Sequence, residues 1–172
     1  MTALVDEYLT SDRMEAGQTP FQPRPCERDE LLELFEDLVA DWPDGRVVWQ
    51  GSHLPPQLVC DPGLLRVALR NLLANADRHT PAGRAIVLDV VPAGPDGEGG
   101  LNIRVSNPGD AIPHDEVPRL FEKYFRGRQA ARSPGAGLGL YLVHQIAELH
   151  RGQARLDSAG QDGHVRFSLA LP

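Results

Sequence analysis

Within the run Asn71-Leu72-Leu73-Ala74-Asn75-Ala76-Asp77-Arg78-His79-Thr80, two carboxamides and a guanidinium recur at helical spacing. At about 100° per residue, Leu64, Ala68, Asn71, Asn75 and Arg78 fall within about 80° of one another, so polar groups continue a stripe that begins apolar. A buried amide without a partner costs roughly 1–3 kcal/mol. Two amides on one stripe therefore call for partners, which a bound polar ligand or neighbouring backbone and buried water would supply. A second group, Ser133-Pro134-Gly135-Ala136-Gly137-Leu138-Gly139-Leu140, is a glycine-rich run opening into an amphipathic helix. Glycines let backbone N–H groups approach an anion, and a helix N-terminus adds positive partial charge. The run lacks the preceding strand of a dinucleotide fold, because Arg126 to Pro134 reads as a polar basic loop, and it lacks the Gly-Lys-Ser/Thr of a P-loop.

Two further segments stand between these. Val105-Ser106-Asn107-Pro108-Gly109-Asp110-Ala111-Ile112-Pro113 reads as a strand running into a tight turn, for which Asn-Pro-Gly is good chemistry. Leu120-Phe121-Glu122-Lys123-Tyr124-Phe125-Arg126 then sets aromatics ahead of the basic loop.

The elements that must position these groups follow from periodicity and punctuation. Residues 1–16 read as a helix closed by Gly17, with an apolar side that a lone helix of this length cannot stabilise in water. Pro20, Pro23 and Pro25 mark residues 18–26 as an extended linker. Helical spacing then covers Glu27 to Ala40, and short strands are expected at 46–50 and 57–60. Asp61-Pro62 supplies an N-cap and a first-turn proline for a helix running to His79. Ile86–Val91 and Leu101–Val105 read as a hairpin. Helices are expected from His114 or Asp115 to Phe125 and from Leu138 to Leu149, and strands at 153–157 and 164–171 flank Gly160-Gln161-Asp162-Gly163. The fold class is α+β: a two-layer α/β sandwich, with helices layered on one face of a sheet.

The bulk properties narrow the partners. A chain of 172 residues accommodates one sizeable domain and a short appendage. The net charge of −7 argues against a general nucleic-acid binder, leaving only a local basic cluster at Arg126, Arg128 and Arg132. Cys26 and Cys60 have no metal-ligand spacing, so a reduced cytoplasmic setting is the default and their disulfide pairing the minor alternative. No apolar run of about 18 residues exists, so no direct membrane contact is expected, although a parent anchored in the inner membrane remains open.

In this order, the four motifs resemble the catalytic, ATP-binding domain of sensor histidine kinases, in the GHKL superfamily with its Bergerat fold. Residues 71–80 resemble its N box, Asn107 to Ile112 its G1 box, Leu120 to Phe125 its F box, and Gly135 to Leu140 its G2 box, with Gly163 like its last glycine motif. The resemblance covers residues 27–172, and residues 1–17 look like the end of the second helix of the dimerisation and histidine-phosphotransfer domain. It implies a mixed, mostly antiparallel sheet and the cofactors ATP and Mg2+. It also implies catalytic roles for Asn71, Asn75 and Arg78, with Asn75 as the magnesium ligand. The nucleotide contacts implied are Asn71, Asn75, Arg78, His79, Asn107, Gly109, Ala111, Ile112, Phe121, Lys123, Tyr124, Phe125, Arg126, Gly135, Gly137, Leu138, Gly139 and Leu140. His79 alternatively reads as a core histidine.

Two positions depart from the family pattern. Asn107 stands where an aspartate usually reads the adenine amino group, which removes charge assistance from that bond. Ala111 replaces a G1 glycine. Asn71 stands where hydrolytic members and serine kinases of the superfamily carry a glutamate base, so hydrolysis or serine phosphorylation is not expected. Residues 126–134 match the family's ATP lid. The acceptor histidine of the family is absent, since His53, His79, His144, His150 and His164 lack a following acid, and His114-Asp115 lies between the G1 and F boxes. The resemblance thus implies γ-phosphoryl transfer to a histidine on a separate or missing phosphotransfer domain, in a homodimeric parent with a cognate response regulator. The alternative reading is a nucleotide-binding pseudokinase module with little turnover.

Overall fold

The computed structural model describes residues 2–51, 53–92, 100–128 and 135–172, with residues 2–7 described by backbone alone. Arg132, Ser133, Pro134 and the rest of the expected lid from 129 onward lie outside the described residues, as do residues 93–99 of the hairpin turn. The elements are α1 (Thr2–Glu15), β1 (Arg24–Glu27), α2 (Arg28–Ala40), β2 (Val47–Gln50), β3 (Gln57–Cys60), α3 (Pro62–His79), β4 (Ile86–Pro92), β5 (Leu101–Pro108), a 3-10 turn (Val117–Arg119), α4 (Gly139–Leu149), β6 (Gln153–Ala159) and β7 (His164–Leu171).

Five strands form a sheet in the order β2-β4-β5-β7-β6, in which only the β2–β4 pair is parallel. Alternation decides its two faces. Ile86, Leu88 and Val90 of β4, Leu101, Ile103 and Val105 of β5, and Val165, Phe167, Leu169 and Leu171 of β7 are all buried. They form one core with Leu31, Leu34, Phe35 and Leu38 of α2, Leu65, Leu69, Leu72 and Leu73 of α3, and Val143, Ile146 and Ala147 of α4. The result is the expected two-layer α/β sandwich. A second, two-stranded sheet pairs β1 antiparallel with β3, so the proline-rich segment after α1 ends as a strand held on the domain.

The ends of α3 are fixed by side chains. Asp61 Oδ1 accepts from the Leu64 N–H at 3.1 Å, and Asp61 Oδ2 accepts from the Gln22 N–H at 2.9 Å. The Asp61 N–H donates to Nε2 of the buried His150 at 2.9 Å. A ring nitrogen that accepts carries no proton, so Nδ1 is protonated and donates to the Ile146 carbonyl at 2.7 Å. One neutral imidazole thereby ties the end of α4 to the start of α3. At the end of α1, Gly17 adopts φ +62° and the Gln18 N–H returns to the Arg13 carbonyl at 2.8 Å, the glycine stop its sequence implies.

Besides β1, which forms where a linker was expected, the structure differs from expectation at two elements. The helix expected from residue 114 or 115 to Phe125 is a single 3-10 turn followed by irregular chain. Pro118 removes a donor and is tolerated only in a first turn. The segment is then drawn away by tertiary contacts: Phe121 packs between the rings of His144 and Phe167, and the Tyr124 N–H donates to the Gly137 carbonyl at 3.0 Å. β5 runs three residues past Val105, because Asn107 and Pro108 pair with Val165 and His164 of β7. β4 pairs with β5 only as far as Ser106, so Pro108 occupies a level where the ladder has one neighbour.

Cys26 and Cys60 are both free thiols, fully buried, with sulfurs 3.7 Å apart. Burial, with the neighbouring Cys26, pushes the Cys60 thiol up to about 12. Both sulfurs are closed off from solvent, so neither cysteine should react with a disulfide reagent at neutral pH while the chain is folded. Both should titrate after unfolding in urea. Rapid labelling of the native chain would contradict this packing.

Candidate functional site

The C-terminal turns of α3, the turn after β5, the segment from Pro113 to Gly127 and the start of α4 surround a cleft that opens to solvent. Its bed is apolar, made by Ile112, Leu120, Leu140, Val165 and Phe167, and its polar wall carries Asn75, Arg78, His79, Asn107 and Asp110.

The amides are not buried in the helix core. The stripe of α3 that faces the sheet is Leu64, Leu65, Ala68, Leu69, Leu72, Leu73 and Ala76, while Asn71 and Asn75 are half-buried beside it and Arg78 is exposed. A helical wheel fixes an angular order but not where the core lies, and the buried arc of α3 is centred to one side of the amides, which stand at its edge. Asn71 also has the backbone partner that the sequence left open, because its Nδ2 donates to the Val67 carbonyl at 2.9 Å. It lies outside the cavity lining and packs on α4, where a Cβ on Gly139 would stand 3.0 Å from Asn71 Oδ1. Asn75, Arg78 and His79 do line the cavity.

The loops meet the helices backbone to backbone. A Cβ on Gly109 would stand 2.9 Å from the His79 carbonyl oxygen, so the turn after β5 seats directly on the end of α3. Asn107 is 2% exposed at the edge of this turn, with Nδ2 donating to the Pro108 carbonyl at 3.2 Å. The Ile112 N–H donates to the Ala159 carbonyl at 2.7 Å, and Gly160 packs on Ala111 so closely that its Cβ would come within 2.8 Å of Ala111 Cα. Ala111 itself is exposed and lies outside the lining. Gly160, and not Gly163, is the glycine this packing requires. Gly137 takes φ +72° where a Cβ would meet the backbone of Tyr124 and Phe125 at 2.7 Å. Gly135 approaches the Arg78 guanidinium, whose Nη1 would be 3.4 Å from a Cβ there.

The aromatic segment divides. Phe125 and Arg126 line the cavity, and the Arg119 guanidinium lies 4.5 Å from the Phe125 ring centre. Phe121 packs behind it against Phe167. Lys123 and Tyr124 turn the other way, toward α1. Lys123 Nζ pairs with Glu15 Oε1 at 2.8 Å, Glu15 also accepts from the Tyr141 hydroxyl at 3.2 Å, and the Tyr124 ring lies 6.3 Å from that of Tyr8. Tyr124, at φ +64°, makes that reversal of the chain. Of the glycine-rich run, Gly137 and Leu140 line the cavity, whereas Leu138 is buried beneath it.

Glu116, Asp110, Pro113, Gly127, Val165 and Phe167 also line the cavity without having been singled out in the sequence. The inward face of β7 could have been read from its alternation. Glu116 could not, because it looks like a surface position on a helix that does not form. Glu116 is 8% exposed, and its carboxylate accepts from the N–H and Nε of Arg128 at 3.1 and 2.8 Å, which holds it below the usual carboxylate range. Asp115 takes the Arg128 Nη2 at 2.7 Å. Gly127 leaves room for Glu116, since a Cβ would come within 2.4 Å of its Oε2. Among the described residues no three His, Cys, Asp or Glu side chains come together as a metal cage.

Residues 60–172 match the family model for histidine kinase-, DNA gyrase B-, and HSP90-like ATPases. The chain is 37% identical over 146 residues to the probable sensor kinase SilS of Salmonella typhimurium, an alignment that covers 83% of this chain and 28% of that protein. The solved ATP-binding domain of PrrB from Mycobacterium tuberculosis is 30% identical, with a TM-score of 0.63 and coverage of 88% of this chain and 97% of that one. The mycobacterial sensor histidine kinase MprB gives 27% identity and a TM-score of 0.70, covering 87% and 97% of the two chains. The chain spans less than a third of the length of SilS.

Burial, together with the nearby Arg78 charge, pushes the His79 imidazole below its ordinary value of 6.5, against a smaller pull from Asp110. The unfolded chain then binds this proton more readily than the folded one, so the His79 contribution to stability declines as pH falls through the unfolded value. His79→Asn should therefore lose less stability than the parent between about pH 7.5 and about pH 5.5 in urea unfolding. Equal losses would show that His79 titrates normally in the fold.

Proposed function

This chain belongs to the family of histidine kinase-, DNA gyrase B-, and HSP90-like ATPases, and within it we propose that it is the catalytic domain of a sensor histidine kinase, passing the ATP γ-phosphoryl group to a histidine outside the chain. The observation that carries this is the cavity itself: an apolar bed between β7 and α4, walled by Asn75, Arg78 and His79 and closed by a glycine entry into α4. A purine fits an apolar slot with a buried polar reader, and Asn107 is that reader. The triphosphate then extends toward Arg78 and the glycine run, where cations and the α4 N-terminus balance its charge. No helix among the described residues is long and apolar enough to cross a membrane.

Mg2+ suits this donor set. The ion keeps several waters and is held by one or two protein oxygens together with substrate phosphates, so the Asn75 carboxamide oxygen suffices. When bound, it would neutralise charge on the phosphates. The chain's own residues position: Asn75 and Arg78 orient the phosphates, and Arg126 borders them. Phosphoryl transfer depends chiefly on such positioning and charge compensation. Asn71 has no basic atom with which to activate water, whereas an imidazole nucleophile needs no base from this domain. In this reading α1 is the end of the second helix of the phosphotransfer hairpin, residues 18–26 connect it, and residues 27–172 form the catalytic domain. A response regulator would then receive the phosphoryl group, in a homodimeric parent.

Incubating the chain with labelled ATP, Mg2+ and a separately made phosphotransfer hairpin of the parent should label the hairpin histidine. Asn75→Ala should lower transfer at least about a hundredfold, as for loss of a key charge-stabilising group. Undiminished transfer would refute the role of Asn75, and absence of nucleotide binding by the parent chain would refute the reading of the cavity.

A further inference from the structure

Arg46 stands in the turn before β2, outside all four motifs. Every hydrogen of its guanidinium has an acceptor: Nε donates to Asp77 Oδ1 at 2.6 Å, Nη2 to the carbonyls of Asp77 and Thr80 at 3.0 Å each, and Nη1 to the carbonyls of Pro81 and Arg84 at 3.0 and 2.8 Å. The side chain is 17% exposed, and the Arg46 carbonyl accepts from the Ile86 N–H at 2.8 Å. Four of the five acceptors are thus backbone oxygens at or just beyond the end of α3.

Helix ends leave carbonyls without donors, and a glycine in the left-handed region usually turns the chain back to meet them. α3 has no such glycine. Its C-cap is Thr80 in extended conformation, whose N–H reaches the Asp77 carbonyl only at 3.4 Å. Arg46 replaces that cap from a distant point in the sequence, and its charge faces the negative end of the helix dipole. The turn it holds is the one that presents Arg78 and His79 to the cavity, one turn after Asn75, and the His79 carbonyl is the surface on which Gly109 rests.

We propose that Arg46 is a positioning residue for the nucleotide site: by gathering the Asp77 carbonyl with those of Thr80, Pro81 and Arg84 just beyond α3, it fixes the last turn of the helix, which carries Arg78 and His79 and follows Asn75, and through His79 the seat of the turn after β5. This rests on the reading of the cavity as the nucleotide site. Arg46 does not itself line the cavity. The requirement is geometric, because a lysine ammonium is a point charge that cannot span four carbonyls and a carboxylate.

The test compares Arg46→Ala, Arg46→Lys and the core truncation Leu31→Ala, all in the full chain and at a temperature where circular dichroism shows each folded. Titration with Mg-ATP should show both Arg46 variants binding at least about tenfold more weakly than the parent, the scale of a displaced contact group. Leu31→Ala, whose side chain does not line the cavity, should bind as the parent does despite lower stability. Millimolar guanidinium, far below the molar range that unfolds proteins, should restore binding to Arg46→Ala. Parent-like affinity in folded Arg46→Ala, or an equal loss in Leu31→Ala, would overturn the proposal. Amide hydrogen exchange decides the matter independently of any nucleotide. Selective loss of protection over residues 75–84 in Arg46→Ala supports positioning, and unchanged protection there overturns it. If the parent chain binds no nucleotide, the reading of the cavity fails, and the exchange result still stands for or against Arg46.

Discussion

Helix α3 leaves unpaired backbone groups at both ends, and the chain meets them with the local caps Asp61 and Thr80 together with side chains drawn from far away in sequence. Asp61 and His150 hold the start, linking it to the linker at Gln22 and to the last turn of α4. Arg46 gathers the carbonyls at the other end. Between these anchors the buried leucines of α3 fix its roll against the sheet. The half-buried flank that remains is the one bearing Asn75, so capping and packing together determine where the cavity wall stands. The amides of α3 need no burial in the core, because they stand at the margin of the helix's buried face.

The rest of the cavity is built on that wall by close backbone approach. Gly109 on the His79 carbonyl, Gly137 on the Tyr124–Phe125 backbone and Gly160 on Ala111 each occupy places where a β-carbon would collide. Such contacts leave little freedom of register: a loop that seats backbone on backbone has one position. They also explain why the aromatic segment is not helical. The Tyr124 N–H is bound to the Gly137 carbonyl, which an α-helical course through residues 120–125 would not allow.

The net charge of the chain is −7, and both signs meet at the cavity. Glu116 and the neighbouring Asp115 are engaged by Arg128, and Asp77 by Arg46, while Asp110 stands in the cavity wall. Arg78 and Arg126 line the same cavity. On the outer side, Lys123 is committed to Glu15 and so couples the segment beside the cavity to α1.

Much of this was legible in the sequence. Hydrophobic period and punctuation marked α2, α3, α4 and every strand but β1, which read as linker. The order of four motifs carried the family, because residues that handle nucleotide are held at spacings set by the fold. The sequence could not assign the flank of α3 that faces solvent, the unravelling of residues 114–125, or the division of Phe121–Arg126 between cavity and α1. It gave no sign of Glu116 or Arg46, whose partners lie 12 and 31–38 residues away. Local periodicity and motif spacing are properties of the chain read along its length, and they determined the elements and the chemistry on offer. Which carbonyl receives which guanidinium, and which amide faces a cavity or a backbone oxygen, depends on contacts between distant segments, and only the tertiary structure decided those.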